Sequence, residues 1–163
     1  MIINLQGVFA AEGEQLPFRD MLNLSEWYVD SFCPVPQPVV IEGMVENRAG
    51  VVTLHYTARF LYIAPCDRCT APTEREMTVA MDYTLVRELH EDNENFLMVE
   101  NDRLDISELA ASDVILSLPT KYLCKEDCAG ICPQCGKNLN EGPCTCSHET
   151  VDPRLEALKQ LLD

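Results

Sequence analysis

Hydrophobic and polar residues alternate with a period of two over three stretches of the chain. The clearest is 52–62. Val52, Leu54, Tyr56, Ala58, Phe60 and Tyr62 fall on one face, and Thr53, His55, Thr57 and Arg59 on the other. Only an extended strand puts alternate residues on opposite faces, so the run predicts a half-buried β-strand. Met77, Val79, Met81, Tyr83 and Leu85 repeat the pattern against Thr78, Ala80, Asp82 and Thr84. A shorter version runs from Val39 through Ile41 to Val45, and Asn47 to Gly50 reads as the turn that follows it. Three such runs predict an antiparallel sheet of three or more strands with one apolar face.

Upstream of residue 39 the pattern is broken. Ile3 and Leu5 suit a short strand, and Leu16, Phe18, Leu22 and Leu24 read as isolated apolar anchors. Pro34, Pro36 and Pro38 interrupt regular structure, so residues 1–36 read as an irregular arm. Trp27 and Tyr28 are assigned to core packing in preference to a partner anchor. Residues 87–103 read as an acidic connection or strand edge around Phe96 and Val99.

Asp105 opens a helix. It can cap free N–H groups, and Glu108 three residues on completes a capping-box pattern. Ile106, Leu109, Ala110, Val114 and Leu118 supply its apolar stripe, and Pro119 ends it. Asp152 followed by Pro153 predicts a second helix with Leu155, Leu158, Leu161 and Leu162 on its apolar face. The expected class is therefore α+β, a sheet with covering helices. Residues 1–119 hold the arm, sheet and first helix, and 120–163 a cysteine-rich segment and the last helix, in one compact domain overall.

At 163 residues, 47% hydrophobic and 24% charged, the chain has ordinary globular composition, which argues against wholesale disorder. No apolar run approaches the roughly 20 residues of a membrane span. The first residues lack a basic stretch leading into a long apolar one, so a secretory leader is not expected and the cytoplasm is the default. Charge changes the picture more. The 12 Lys and Arg face 27 Asp and Glu, for a net charge of −15. Such a surface repels a polyanion, so nucleic-acid binding by charge alone is excluded. The acid concentrates in 66–119. Glu88, Glu91, Asp92, Glu94, Glu100 and Asp102 are read as a docking surface for a basic partner.

Nine cysteines point to metal chemistry, because thiols stay reduced in the cytosol. Six crowd one stretch: Cys124, Cys128, Cys132, Cys135, Cys144 and Cys146. Cys132-Pro133-Gln134-Cys135-Gly136 has the form of a zinc knuckle, in which two thiolates aim at one ion and the glycine allows the turn. Cys144 with Cys146, Cys128 with either of them, or Cys124 with Cys128 can complete a tetrahedral set. The preferred set is Cys128, Cys132, Cys135 and Cys146, holding about one zinc. His148 is an alternative ligand, read by preference as a surface histidine. Four cysteine ligands leave no open position for water, so the zinc is expected to be structural. An iron–sulfur cluster is the lesser alternative.

Cys66-Asp67-Arg68-Cys69 is a separate Cys-x-x-Cys. Pro65 and Pro72 flank it, which removes the helix N-terminus that a redox pair would use. Metal binding, pairing with Cys124, and a turn with packed thiols remain as readings. Cys33 reads as a lone thiol, and His55 as a solvent-facing histidine. No glycine-rich phosphate loop, Gly-x-Ser-x-Gly or His-Glu-x-x-His occurs. A thiol or metal enzyme would need an open coordination site or an activated thiol, and neither is visible.

Several of these pieces together resemble the bacterial YceD family, named for accumulation of the large-subunit ribosomal RNA. They are Cys66 to Cys69; Leu104-Asp105-Ile106 leading to Leu116-Ser117-Leu118-Pro119; Leu123 and Cys124; Asp127 to Gly136; Asn138-Leu139-Asn140; and Asp152 to Leu155 with Leu158. The resemblance covers about residues 66–160. It implies a non-enzymatic factor for synthesis, processing or stability of that RNA, with no small-molecule substrate and no membrane. It also makes Cys66, Arg68 and Cys69 the shared candidates for a partner or local RNA contact, and the thiol-rich stretch a variable insertion stabilised by zinc. The expected partner is a basic ribosomal protein or a pre-ribosomal particle. The alternative is an acidic, zinc-containing interaction module unrelated to ribosomes.

Overall fold

A computed structural model describes residues 1–29, 31–88 and 95–146. The chain divides into two compact units, Met1–Ala64 with Pro72–Tyr122, and Pro65–Ala71 with Leu123–Asp163. Among the described residues no helix is long and apolar enough to cross a membrane.

The first unit is mostly sheet. In chain order it comprises β1 (Ile2–Asn4), α1 (Gln6–Ala10), β2 (Gln15–Leu22), β3 (Val39–Arg48), β4 (Val51–Pro65), β5 (Pro72–Val86), β6 (Phe96–Met98), β7 (Arg103–Asp105) and α2 (Ile106–Ser117). Five strands form one sheet in the order β2-β3-β4-β5-β6, and β1 and β7 pair separately. The three alternating runs are its central strands. Val39, Ile41 and Val45 of β3, Val52 to Ala64 at alternate positions of β4, and Leu85 of β5 are buried in one core. Met77, Val79, Met81 and Tyr83 pack against that core.

The expected arm is more ordered than its sequence suggests. Residues 15–22 form edge strand β2, antiparallel to β3 with Phe18 opposite Gly43. Pro17 hid this strand, because proline cannot donate to a ladder; an edge tolerates it. Gln6–Ala10 is a short helix that buries Val8. Tyr28 is 63% exposed, so its assignment to core packing does not hold. β2, β3 and β4 pair antiparallel as expected of the sheet, and β6 adds one parallel pairing, to β5. Phe96 lies opposite Thr84 and Met98 opposite Val86, so both strands run the same way.

Two glycines have definite work. Ala49 and Gly50 link β3 to β4 with φ of 53° and 82°, the left-handed pair of a tight hairpin turn. The Asn47 side chain accepts from the Gly50 N–H at 3.1 Å and donates to Val8 O at 2.8 Å. At Gly43, an added Cβ would lie 2.4 Å from Tyr56 Cβ and 2.6 Å from Phe18 Cζ, so only glycine lets these rings pack across β3.

The helix starts as expected. Asp105 accepts from the N–H groups of Ser107 at 2.9 Å and Glu108 at 3.3 Å. Burial works against its charge, but these donors hold its carboxyl below the usual range. Ile106, Ala110 and Val114 are buried, with Leu109 and Leu118 partly so. Asp113 is buried among them and accepts hydrogen bonds from the Tyr56 and Tyr83 hydroxyls. Burial, and then this bonding, pushes both phenols up, Tyr83 to about 12. The second expected helix and His148 lie outside the described residues.

Candidate metal centres

In the second unit the backbone builds the same knuckle twice. The Cys132 N–H donates to Lys137 O at 2.8 Å, and the Gly136 N–H returns to Cys132 O at 2.9 Å. At the other Cys-x-x-Cys, the Cys66 N–H donates to Ala71 O at 2.9 Å, and the Thr70 N–H to Cys66 O at 2.8 Å. Gly136 has φ of 72° and Thr70 φ of 58°, so both turns need one left-handed residue after the second cysteine. Glycine takes that conformation freely; threonine, branched at Cβ, is strained there.

Each knuckle completes a different foursome. The Sγ atoms of Cys66, Cys69, Cys124 and Cys128 lie within 4.8 Å of one another, and so do those of Cys132, Cys135, Cys144 and Cys146. Cys66 Sγ is 3.7 Å from Cys128 Sγ, and Cys69 Sγ is 3.6 Å from Cys124 Sγ. Ligands at the usual Zn–S distance stand roughly 3.8 Å apart around a tetrahedral ion. Each foursome could therefore hold one metal ion, and Cys33 is in neither group.

Polar contacts steer the sulfurs. The Asn140 amide donates to Cys128 Sγ at 3.3 Å, while its oxygen accepts from the Ala129 N–H at 3.0 Å. Asn138 accepts from the Asn140 N–H at 3.1 Å. Arg68 donates to Cys128 O at 2.8 Å, and Arg68 O accepts from the Ile131 N–H at 3.2 Å. Gly130 lies so close to Arg68 that an added Cβ would meet Arg68 O at 3.2 Å. The Gln134 N–H points at Cys132 Sγ at 3.4 Å.

These donors divide the thiols. Burial raises Cys66, but N–H groups of Cys124, Cys69 and Arg68 outweigh it and hold the thiol down to about 6. The Cys135 N–H, opposed by burial, brings Cys132 to about 6. The Asn140 amide lowers Cys128. Burial and neighbouring sulfurs push Cys124 up to about 12, and Cys135 and burial do the same for Cys146. Each foursome thus combines thiols that favour thiolate with thiols that keep a proton until a cation replaces it.

The preferred set of Cys128, Cys132, Cys135 and Cys146 is not brought together. Cys128 belongs to one foursome and the other three to the second. Its loop is tied to residues 65–71 through Arg68, a long-range link that spacing does not reveal. The place for one ion thus becomes a place for two. The resemblance implies a partner or RNA contact at Cys66 and Cys69; their sulfurs stand among metal-ligand candidates, the metal-binding alternative, and Arg68 braces the same scaffold. Threonine at position 70, where Cys132–Cys135 has glycine, concealed the second knuckle.

Of the six carboxylates in the expected docking surface, Glu91, Asp92 and Glu94 lie outside the described residues. Glu88 and Glu100 are exposed. Asp102 is held by Arg87 through two bonds, of 2.7 and 3.0 Å. His55 is exposed and paired with Asp82.

The family model described as large ribosomal RNA subunit accumulation protein YceD matches residues 54–162. Uncharacterized proteins of Mycobacterium bovis and Mycobacterium tuberculosis are 31% identical over 124 residues, covering 72% of this chain and 59% of their own length. The match thus spans less than two thirds of those mycobacterial relatives. The uncharacterized protein YlbN of Bacillus subtilis is 25% identical over 128 residues, covering 77% of this chain and 74% of its own. No solved structure matches. The matched stretch holds both knuckles, all eight grouped cysteines and the helix that Asp105 caps, and the chain belongs to the YceD family.

Proposed function

We propose that the protein is a non-enzymatic, cytoplasmic factor for synthesis, processing or stability of large-subunit ribosomal RNA, with two structural zinc ions. The observation that carries this reading is the family match across both thiol groups. The chemistry agrees with it. A metal ion held by four cysteines has no position left for water or substrate, so it organises backbone without activating a reactant. Sulfurs this close suit one ion, whereas the cysteines of an iron–sulfur cluster bind different irons.

The partner is a basic ribosomal protein or a pre-ribosomal particle that carries one. A net charge of −15 supports this, because it attracts basic partners and repels bare RNA. Any RNA contact is local, and neither a membrane nor a small-molecule substrate is involved. Deletion of the gene should lower large-subunit RNA relative to small-subunit RNA, and the wild-type chain should restore the ratio. An unchanged ratio in the deletion strain overturns the proposal. The Cys66→Ser/Cys128→Ser variant should fail to restore it.

A further inference from the structure

Among the described residues β5 is only partly covered on its outer side. It runs from Pro72 to Val86, yet β6 pairs with Thr84, Leu85 and Val86 alone. Among the described residues no strand pairs with 72–83 on the side away from β4. The Thr84 N–H donates outward to Asn95 O at 2.8 Å, and Val86 O accepts from the Val99 N–H at 2.8 Å. Alternation along a strand then turns the N–H and C=O groups of Glu74, Glu76, Thr78, Ala80 and Asp82 to the same open side. The other edge of the sheet is protected differently: β2 carries Pro17 in its middle. β5 has no proline after its first residue.

The two faces along this edge differ in chemistry. Glu74, Glu76 and Asp82 are exposed on one face, while Met77, Val79 and Met81 pack against the core on the other. We infer that residues 74–82 of β5 receive an extended basic protein segment as an added strand. Its Lys or Arg side chains lie beside Glu74, Glu76 and Asp82, and its alternate apolar side chains extend the row of Met77, Val79 and Met81. Main-chain hydrogen bonds give such a contact its affinity and the alternating side chains its choice of partner. A second copy of this chain fits poorly, because antiparallel pairing about Thr78 sets Glu74 opposite Asp82, like charge against like. The inference rests on the reading of a basic partner and adds how that partner is held.

The test uses the full metal-loaded chain and a synthetic peptide alternating lysine with valine. A second peptide has the same sequence with backbone N-methyl groups on one edge, and a third has the same composition scrambled. Binding is read by fluorescence anisotropy and by amide hydrogen exchange in β5. The alternating peptide should bind and slow exchange at Thr78 and Ala80. N-methylation, which removes two or more interstrand hydrogen bonds, should weaken binding about tenfold. Ala80→Pro, which removes one outward N–H, should weaken it in the same direction. The N-methyl comparison stands even if that variant fails to fold.

Equal binding of all three peptides with unchanged exchange in β5 overturns the added strand and leaves capture by charge, and with it the basic-partner reading, in place. Binding of none of them also overturns the strand. The ribosomal RNA ratio in the deletion strain then decides the broader reading by itself. Self-association through β5, seen as a dimer whose β5 amides are protected without peptide, overturns the choice of partner.

Discussion

In the first unit the largest fully buried side chains are Leu5, Ile41, Leu54 and Ile106, with several valines; in the second they are Cys66, Cys128 and Cys132. The contrast follows from size. A five-stranded sheet with a helix removes enough apolar surface from water to hold itself. The second unit is far smaller, well under the roughly 70–80 residues below which a single core rarely suffices and a metal or disulfide is often added. Its small cluster of Cys66, Cys69 and Cys128, with Ala71 and Leu123 against it, provides little burial. Two groups of four thiols, each able to hold a metal ion, stand there instead.

The largest expected effect separates the two units outright. Zinc at a site of this kind contributes about 10 kcal/mol or more to folding. A strong chelator should abolish exchange protection in 123–146 and leave β3 and β4 protected. Loss of protection in both would show that the sheet depends on the metal.

The reciprocal experiment acts on the sheet. Leu54→Ala empties a fully buried position and should cost about 2–5 kcal/mol by thermal or urea unfolding. The metal content should not change. A variant that loses metal as well would contradict the division of labour.

A smaller effect lies at Asp113. Replacing it with alanine leaves the Tyr56 and Tyr83 hydroxyls without their acceptor, at a cost of about 1–3 kcal/mol. Both phenols are raised in the folded state, so their contribution is full below the unfolded tyrosine pKa of about 10 and is lost as pH rises through the folded values. An absorbance titration should place Tyr83 near 12, and urea midpoints of the wild type should fall above pH 10 more steeply than those of Tyr83→Phe.

The smallest effect tests the likeness of the two knuckles. Thr70→Gly should stabilise the second unit by about 1 kcal/mol by relieving a left-handed threonine, and Gly136→Thr should destabilise it by about as much. Chelator competition reads both.

Legibility followed the same line. Strands β3, β4 and β5 could be read from period-two alternation, because one face of each is buried and the other wet. The Asp105 cap could be read because capping is local. β2 could not, since Pro17 contradicts a strand unless it lies at an edge, and edge position belongs to the tertiary fold. Asp113 was missed because a charged residue within an apolar helix face shows no sign of the two tyrosines that meet it. The knuckle at Cys132 was plain from Pro133 and Gly136. Its partners were not, because the first foursome joins Cys66 to Cys128 across 62 positions of sequence. Spacing within 124–146 contains no trace of that closure.

Eight of the nine cysteines form two four-sulfur groups, one of them joining 65–71 to the 124–128 stretch. Native mass spectrometry of the purified chain, combined with thiol alkylation before and after chelation, tests it most directly. The expected result is two zinc ions per chain, with Cys33 alone alkylated rapidly in the metal-loaded protein and all nine cysteines alkylated after chelation. A single ion, or Cys66 and Cys69 reacting as fast as Cys33 in the loaded protein, would contradict it.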